Sequence, residues 1–336
     1  MGVQGWIAAG WRKRGLGPVL LLSLALAFAL SANLRRLAYR LGWASSVKLP
    51  VPVVVVGNIT AGGSGKTPLV IHLAQELSRR GWRPGIVSRG HGGNARGVAA
   101  VSDSSEAAHV GDEPLLLARR AGCPVFVGRD RVAAARALLS AYPDCNVLLA
   151  DDGLQHLRLA RDVEIVVMDE RGIGNGWPLP AGPLRECPAR VAEADVLVLN
   201  GDAPVPSQVG PRRVFRMRLV GDRWRNLHDP QRTCGAAELR GRRLHALAGI
   251  GNPLRFFRQV EQMGLQAQSH AFPDHHVFRP SDLAFAGVDT LLMTEKDAVK
   301  CQAFAPPETR ELPTEAHLHP HLAHRVVEKL NGPPPA

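Results

Sequence analysis

A hydrophobic run that leads directly into a glycine-rich turn constrains the fold of this chain more than any other feature. Residues 51–57 read VPVVVVG, and a continuous β-branched run is typical of a buried parallel strand. The turn ends in GKT at residues 65–67, after which a helical pattern extends to Arg80. A strand, a glycine-rich turn and a helix in this order predict a phosphate-binding P-loop, with the helix N-terminus directed at the anion.

Each residue type in this turn has a physical reason to bind a nucleotide. Glycines let consecutive backbone N–H groups point into one concavity, while Lys66 is suited to neutralise the β- and γ-phosphates and Thr67 to ligate Mg²⁺. The match to GxxxxGK[ST] is imperfect because Thr60 occupies the first glycine position. The predicted ATP-binding residues are Thr60, Ala61, Gly62, Gly63, Ser64, Gly65, Lys66 and Thr67.

Two common classes of P-loop protein fit the sequence poorly. The motif NGD at Asn200 lacks the lysine of the base-reading [NT]KxD motif of GTPases, and TEKD at Thr294 has it one place late. Partitioning ATPases carry a signature lysine where this chain has Ala61. A kinase that transfers a phosphoryl group is therefore favoured. An NTPase that powers metal insertion or transport, and a nucleotide-gated membrane adaptor, are the alternatives.

A second hydrophobic run ends in two acids. Residues 147–152 read VLLADD, which is the Walker-B arrangement, in which a strand-end aspartate orders the Mg²⁺ shell. Asp151 or Asp152 is the predicted metal ligand. A turn or a helix N-cap is the usual role of a lone aspartate, but it accounts less well for a doublet followed by GLQH.

Two further segments carry candidate catalytic groups. Asp112, in GDEP, opens a helix and is either a plain N-cap or a general base that accepts a proton from an attacking hydroxyl. His275 and His276 could bind a metal, yet no third ligand stands at convincing spacing. A histidine here could instead tune a catalytic carboxylate. Sequence alone does not connect Asp112 with His275.

Strand-like and helical segments alternate along most of the chain, which predicts a parallel sheet with helices on both faces. An arginine-rich stretch of alternating polarity predicts an extended linker, and a second α/β unit begins at Arg243. The predicted parts are a membrane-associated N-terminal segment (1–45), a P-loop kinase domain (46–205), the linker (206–242), a smaller α/β domain (243–330) and a disordered tail (331–336).

The uncharged segment at residues 16–34 is about as long as a minimal membrane-spanning helix, roughly 17 to 25 residues. A spanning anchor normally has positive charge on one side, whereas this segment has basic residues on both flanks. We therefore favour a helix embedded in one leaflet. A spanning anchor, a secretory signal and a buried core helix are the alternatives, the signal being disfavoured by the nucleotide-binding motif that follows.

The net charge suggests an anionic partner. Lys and Arg number 41 against 30 Asp and Glu, a balance of +11, which suggests a nucleic acid, an anionic membrane or a phosphorylated substrate. No nucleic-acid-binding motif is present and aromatic residues make up only 5%. We therefore expect a membrane surface and no nucleic acid. Five widely spaced cysteines favour a reducing compartment over a disulfide framework or a zinc finger.

Eight short motifs occur together and in order: GNITAGGSGKTP, SRGH, GDEP, DDGLQH, NGWPLPAGPLRE, AGIGNPLRFF, FPDHHVF and TEKDAVKC. On these motifs the chain closely resembles the tetraacyldisaccharide 4′-kinase family over essentially its whole length. The resemblance implies an ATP- and Mg²⁺-dependent enzyme at the cytoplasmic face of the inner membrane. Its implied reaction is phosphorylation of the 4′-hydroxyl of a lipid A disaccharide 1-phosphate, a step of lipopolysaccharide biosynthesis.

The resemblance also implies the architecture. A P-loop NTPase-like α/β/α sandwich is expected, joined by a two-stranded linker to a smaller α/β/α domain and preceded by a membrane-associated helix. We expect the enzyme to act as a monomer.

Site residues follow from the resemblance by position. It places a catalytic Asp–His pair on Asp112 and His275, the P-loop lysine and Mg²⁺-binding threonine on Lys66 and Thr67, and the Walker-B acids on Asp151 and Asp152. The implied substrate residues are Arg89, His91, Gln155, His156, Asn175, Arg185 and Glu186. In the family the SRGH segment usually reads SRGY, so a histidine replaces the tyrosine at position 91. The motif TEKDAVK is left with two possible roles, nucleotide contact and interdomain packing.

Overall fold

The computed structural model describes residues 10–11, 14–207, 209–285, 289–318 and 321–331. Most of the predicted C-terminal tail, residues 332–336, and the first nine residues of the predicted N-terminal segment lie outside this part of the chain.

Helices and strands alternate as the sequence predicts, and their bounds are as follows. The strands are β1 (Val53–Gly57), β2 (Pro84–Ser88), β3 (Ala99–Val101), β4 (Val125–Val127), β5 (Val147–Asp151), β6 (Val163–Met168), β7 (Val196–Asn200), β8 (Val214–Val220), β9 (Arg223–Asn226), β10 (Thr233–Gly235), β11 (Leu244–Ala248), β12 (Ala267–Ala271), β13 (Thr290–Thr294), β14 (Thr309–Leu312) and β15 (Glu315–Leu318). The α-helices are α1 (Leu16–Leu20), α2 (Leu22–Arg40), α3 (Lys66–Arg79), α4 (Ala107–Val110), α5 (Asp112–Ala121), α6 (Arg131–Ala141), α7 (Arg190–Glu193), α8 (Pro253–Gln262), α9 (Glu295–Cys301) and α10 (His321–Asn331).

A nine-stranded sheet forms the first lobe, in the order β15-β8-β7-β6-β1-β5-β2-β4-β3. All pairs from β8 to β4 are parallel, and the two edge strands are antiparallel. The four valines of β1 are buried because Val54 and Val56 face one hydrophobic core while Val53 and Val55 face the other. Helices on both faces of the sheet explain why the strand reads as a continuous hydrophobic run.

A six-stranded sheet forms the second lobe, in the order β10-β9-β14-β13-β11-β12. Its central strands are parallel, and β9 and β10 add an antiparallel edge. Trp224 is fully buried against Phe256 of α8, with their ring centroids 6.2 Å apart. The two parallel-rich sheets confirm the predicted α/β class.

Strand pairing divides the chain differently from the predicted linker and C-terminal domain. Strand β8, inside the predicted linker, is hydrogen bonded parallel to β7, and Met217 is fully buried. After β14 the chain returns to the first lobe, where β15 pairs with β8 and Leu322 of α10 joins the first core. The alternating arginines of β8 lie on its exposed face, so they resemble a solvated linker although the strand is part of a sheet.

The N-terminal helices leave much of their hydrophobic surface uncovered. Leu16, Leu20, Leu24, Leu26 and Leu30 are each at least 60% exposed. Helix α2 is attached at its C-terminal end, where two of its arginines form ion pairs with Glu193. Among the described residues, no helix combines the length and the apolar character needed to cross a membrane.

Candidate active site

The P-loop lies between β1 and α3, as the sequence predicts. Gly65 caps α3 with a φ of +94°, a conformation that favours glycine. The Lys66 ammonium is nearly buried, donates a hydrogen bond to Asn58 Oδ1 at 3.1 Å and lies 3.5 Å from Asp152 Oδ1. Thr67 follows in the first turn of α3 and is half-buried. The loop therefore presents a held cation, a hydroxyl and a helix N-terminus to one space.

Asp151 ends β5 beside the P-loop and is buried. Its Oδ2 accepts a hydrogen bond from Ser88 Oγ at 3.2 Å, while its Oδ1 has no partner among the described residues. Burial and the nearby charges of Glu113 and Asp152 raise its pKa. An orphaned, buried carboxylate oxygen in a site built for phosphates suits a hard divalent cation such as Mg²⁺.

Asp152 follows in a left-handed conformation, with a φ of +48°. Arg185 donates to both of its oxygens, at 3.0 and 3.1 Å. Burial opposes ionisation of Asp152, but the charges of Lys66 and Arg185 outweigh it and lower its pKa to about 2. Asp152 is therefore an ionised carboxylate that orients the side chains of Lys66 and Arg185.

Asp112 and His275 meet across the two lobes. Asp112 begins α5 and is 4% exposed, and His275 Nδ1 lies 3.1 Å from its Oδ2. Burial raises the pKa of Asp112, but the hydrogen bond from His275 and the charge of Lys296 outweigh it, bringing the pKa to about 2. The same hydrogen bond raises the pKa of His275 against the effect of its burial. A paired carboxylate and imidazole of this kind can receive and hold a proton.

A cavity of about 1000 Å³ joins these groups to the N-terminal helix. Phe28, Ala29 and Ala32 of α2 line one side of it, and the P-loop with His275 lines another. The predicted site residues on its wall are Gly62, Gly63, Lys66, Arg89, His91, Asp152, Gln155, His156, Arg185, Glu186 and His275. The cavity can thus accommodate a molecule that has an apolar part and an anionic part.

The predicted substrate residues differ in their contacts. The ring of His91 stands edge-to-face against His275, with centroids 5.0 Å apart. Gln155 donates to Glu186 Oε1 at 2.6 Å. Burial lowers the pKa of His156 to about 4. All three border the cavity, and His91 and Gln155 already contact neighbouring side chains.

Other predicted site residues are not part of the cavity lining. Asn175 is buried, where its amide bonds the backbone of Trp177 and Ala181 and so shapes the loop. The remaining members of this set are Thr60, Ala61, Ser64, Gly65, Thr67, Asp112 and Asp151, which the cavity lining does not include. Asn175 therefore contacts its own loop in the structure.

Several charged residues of the site were not predicted. Arg129 and Arg131 line the cavity, and Glu113 and Lys296 surround Asp112. Lysine is rare in this arginine-rich chain, so the two lysines of TEKDAVK were the available signal for Lys296. The arginines carried no such signal.

Comparison with known proteins gives consistent matches along the chain. A family model described as tetraacyldisaccharide-1-P 4′-kinase matches residues 18–331. Tetraacyldisaccharide 4′-kinase of Azoarcus sp. is 55% identical over 328 residues, covering 97% of this chain and 96% of the relative. That of Aromatoleum aromaticum is 52% identical, covering 98% of each. The crystal structure of LpxK from Aquifex aeolicus in complex with ATP superposes with a TM-score of 0.81 at 28% identity, covering 94% of this chain and all of that one.

Fold and site together define a P-loop phosphotransferase whose second lobe supplies a histidine to the site. The match of the family model over nearly the whole chain and identities above 50% are specific to one such family. The chain belongs to the tetraacyldisaccharide 4′-kinase family. It is an ATP-dependent kinase that phosphorylates the 4′-position of the lipid A disaccharide precursor, as the sequence predicts.

Proposed function

We propose that Asp112 is the general base of this reaction and that His275 orients it. The observation that carries the proposal is the 3.1 Å contact between His275 Nδ1 and Asp112 Oδ2, two residues 163 positions apart. Asp112 accepts the proton of the sugar 4′-hydroxyl as the oxygen bonds to the γ-phosphorus and the bond to ADP breaks. Because the transition state of phosphoryl transfer is loose, positioning of the hydroxyl matters more than base strength.

The P-loop residues 60–67 are proposed to hold the triphosphate. Lys66 gathers charge on the β- and γ-oxygens, and Asp152 keeps its ammonium in place. We assign Mg²⁺ to Thr67, Asp151 and Asp152, because Asp151 Oδ1 is buried and unpartnered among the described residues. When bound, the cation neutralises charge between the β- and γ-phosphates. Phosphorylation should cease in EDTA and return with added Mg²⁺.

The substrate headgroup is proposed to occupy the cavity between the P-loop and α2. Arg89, His91, Gln155, His156 and Arg185 line this space and offer donors for a phosphorylated sugar, and Glu186 offers an acceptor for its hydroxyls. Phe28 and its neighbours on α2 give the acyl chains an apolar exit. Asn175 supports the loop instead of binding the lipid, because it is buried and its amide bonds the backbone of Ala181 and Trp177.

We propose that the enzyme works at the cytoplasmic face of the inner membrane as a monomer. The uncovered leucines of α1 and α2 and the positive charge of the chain favour an anionic lipid surface. One chain supplies both members of the Asp112–His275 pair, so a second copy is not needed to complete the site.

The proposed base is tested with Asp112→Asn and His275→Ala at saturating ATP, Mg²⁺ and lipid. Each variant should lose about a hundredfold or more in kcat, the usual contribution of a positioned general base. The neighbouring pair of His276 and Asp282, 3.1 Å apart and outside the cavity lining, offers a matched control. His276→Ala should keep most of its kcat. Near-normal kcat in Asp112→Asn would show that the base is another group.

A further inference from the structure

Lys296, the second residue of α9, lies where three carboxylates from both lobes converge. Its Nζ is 3.0 Å from Glu113 Oε1, 3.3 Å from Asp274 Oδ1 and 3.8 Å from Asp112 Oδ2. The Lys296 side chain is 17% exposed, so these charges interact in a partly dehydrated space. The motif TEKDAVK thus contributes a cation to the immediate surroundings of the proposed base.

The same ammonium contacts the segment that carries His275. Asp274 Oδ1 accepts both from Lys296 and from the backbone N–H of His275, the latter at 3.1 Å. Lys296 therefore bonds the helix that bears Asp112 on one side and the loop that bears His275 on the other. Its removal would leave Asp112, Glu113 and Asp274 close together without this cation between them.

The first two residues of helix α9 bond to opposite ends of α5. Glu295 is 5% exposed and accepts from Arg120, at the far end of α5, at 2.5 Å. Arg225 of the second lobe also donates to Glu295, at 2.9 Å. Because the pair Arg120–Glu295 anchors the residue next to Lys296 to the far end of α5, Lys296 reaches the acids from a defined position.

Several other charged groups face Asp112 and must be distinguished from Lys296. His275 comes from the loop after β12, Glu113 from α5 itself and Lys300 from the next turn of α9. Lys300 Nζ is 4.0 Å from Asp112 but only 2.7 Å from the fully buried Asp297, so its closer ion pair is with Asp297. The remaining groups near the pair are His91, from the loop after β2, and Asp274.

We propose that Lys296 is a positioning residue for phosphoryl transfer, which keeps Asp112 ionised and keeps the loop of His275 against α5. This inference rests on the proposed role of Asp112 as the base. A fixed, ionised carboxylate orients the attacking hydroxyl, and in a loose transition state this orientation matters more than high basicity. Lys296 acts through Asp112 and does not itself bind ATP or the lipid.

The test uses Lys296→Met and Lys296→Gln in the full-length enzyme, with kcat and KM measured against pH. We expect kcat to fall about tenfold or more, since small displacements of reacting groups are costly, while KM for ATP stays within about twofold. The acid side of the kcat/KM profile should move up by about one pH unit or more, because an opposite charge at this distance lowers a carboxyl pKa by that amount. Lys296→Arg should restore the acid side of the profile.

A matched control is Lys329→Met. Lys329 forms an exposed ion pair with Asp195 at 2.5 Å, away from the cavity, so its loss should change neither kcat nor the profile. If Lys296→Met fails to fold, Lys296→Gln carries the comparison, because its amide keeps hydrogen bonds to the carboxylates without the charge.

The outcomes separate this inference from the proposed function. An unshifted acid limb in the Lys296 variants, or a rise in KM for ATP as the main effect, would overturn the role of Lys296. Asp112→Asn is assayed in parallel. If it keeps wild-type kcat, the base assignment fails; if it is inactive while Lys296→Met behaves as wild type, only the present inference fails.

Discussion

Asp151 and Asp152 are adjacent in the chain but lie in opposite electrostatic surroundings. Asp151 is buried with one oxygen unpartnered among the described residues, and burial raises its pKa. Asp152 turns outward in a left-handed conformation, where the charges of Lys66 and Arg185 overcome its burial and keep it ionised. Asp151 is thus the carboxylate that a bound Mg²⁺ would stabilise, and Asp152 is the one that holds Lys66 in position before a ligand binds.

The Asp112–His275 pair should stabilise the fold only within a pH window. The pKa of His275 is raised above 6.5, so its contribution is complete below pH 6.5 and is lost as pH rises through its folded-state pKa. The pKa of Asp112 is lowered from 3.8 to about 2, so its contribution is present above 3.8 and is lost as pH falls. The destabilisation of His275→Gln, measured by urea unfolding, should therefore be larger at pH 6 than at pH 9.

The control for this pH effect is the same substitution in an Asp112→Asn background. The neutral amide cannot favour a charged imidazole, so the cost of His275→Gln should vary much less with pH. An equal pH dependence in both backgrounds would mean that another group titrates.

Single residues of the site were predictable only where their function depends on local sequence. The P-loop and the VLLADD acids are recognisable because one strand and one turn assemble them. Glu113 and Lys296 are 183 positions apart, and nothing in either segment encodes the other. Their contact depends on how the lobes pack, which is why the sequence alone leaves the role of TEKDAVK open.

Helix α2 joins two environments that the sequence could not distinguish. Its arginines bond the first lobe through Glu193, while leucines on its other sides remain uncovered. Phe28 faces the cavity. The helix is therefore suited to lie along a surface and deliver a lipid into the site.

Replacing Leu24, Leu26 and Leu30 by serine should weaken binding to vesicles rich in anionic phosphatidylglycerol by tenfold or more. Burial of a leucine side chain is worth about 1.5–3 kcal/mol, so even partial insertion of three exceeds the ~1.4 kcal/mol of a tenfold change. Sedimentation with vesicles at low salt measures the effect. The control is Leu254→Ser, an exposed leucine of the second lobe, and a comparable loss in that variant would exclude α2 as the specific contact.

At the scale of the element, the helices and strands were predictable but their sheet partners were not. The hydrophobic runs of β1 and β5 are buried on both faces, and such runs are recognisable in sequence. Strand β8 alternates arginine with hydrophobic residues, which predicts an extended conformation. Its membership of the first sheet depends on β7 and β15, and the second of these is distant in sequence.

The whole molecule is stabilised by the return of its C-terminal segment to the first lobe. Leu322 and Val326 of α10 are fully buried in the core that also contains α3, which begins at the P-loop. Leu322→Ala should lower the free energy of unfolding by about 2–5 kcal/mol, the usual cost of a buried leucine. Urea denaturation measures this, with Leu254→Ala as the exposed control, expected within about 0.5 kcal/mol of wild type. Equal losses in the two variants would contradict the observed packing.

The chain passes between the lobes at residues 221–222 and again at 313–314, and these two passages lie side by side. A Cβ on Gly221 would come within 2.5 Å of the Pro313 carbonyl oxygen, so the backbones there are in close contact. Because both passages are short and adjoin each other, we expect motion of the lobes to be mainly a rotation about this pair of passages. His275 and Lys296 both lie in the second lobe. Such a rotation would therefore bring His275 and Lys296 to Asp112, or remove them from it, together.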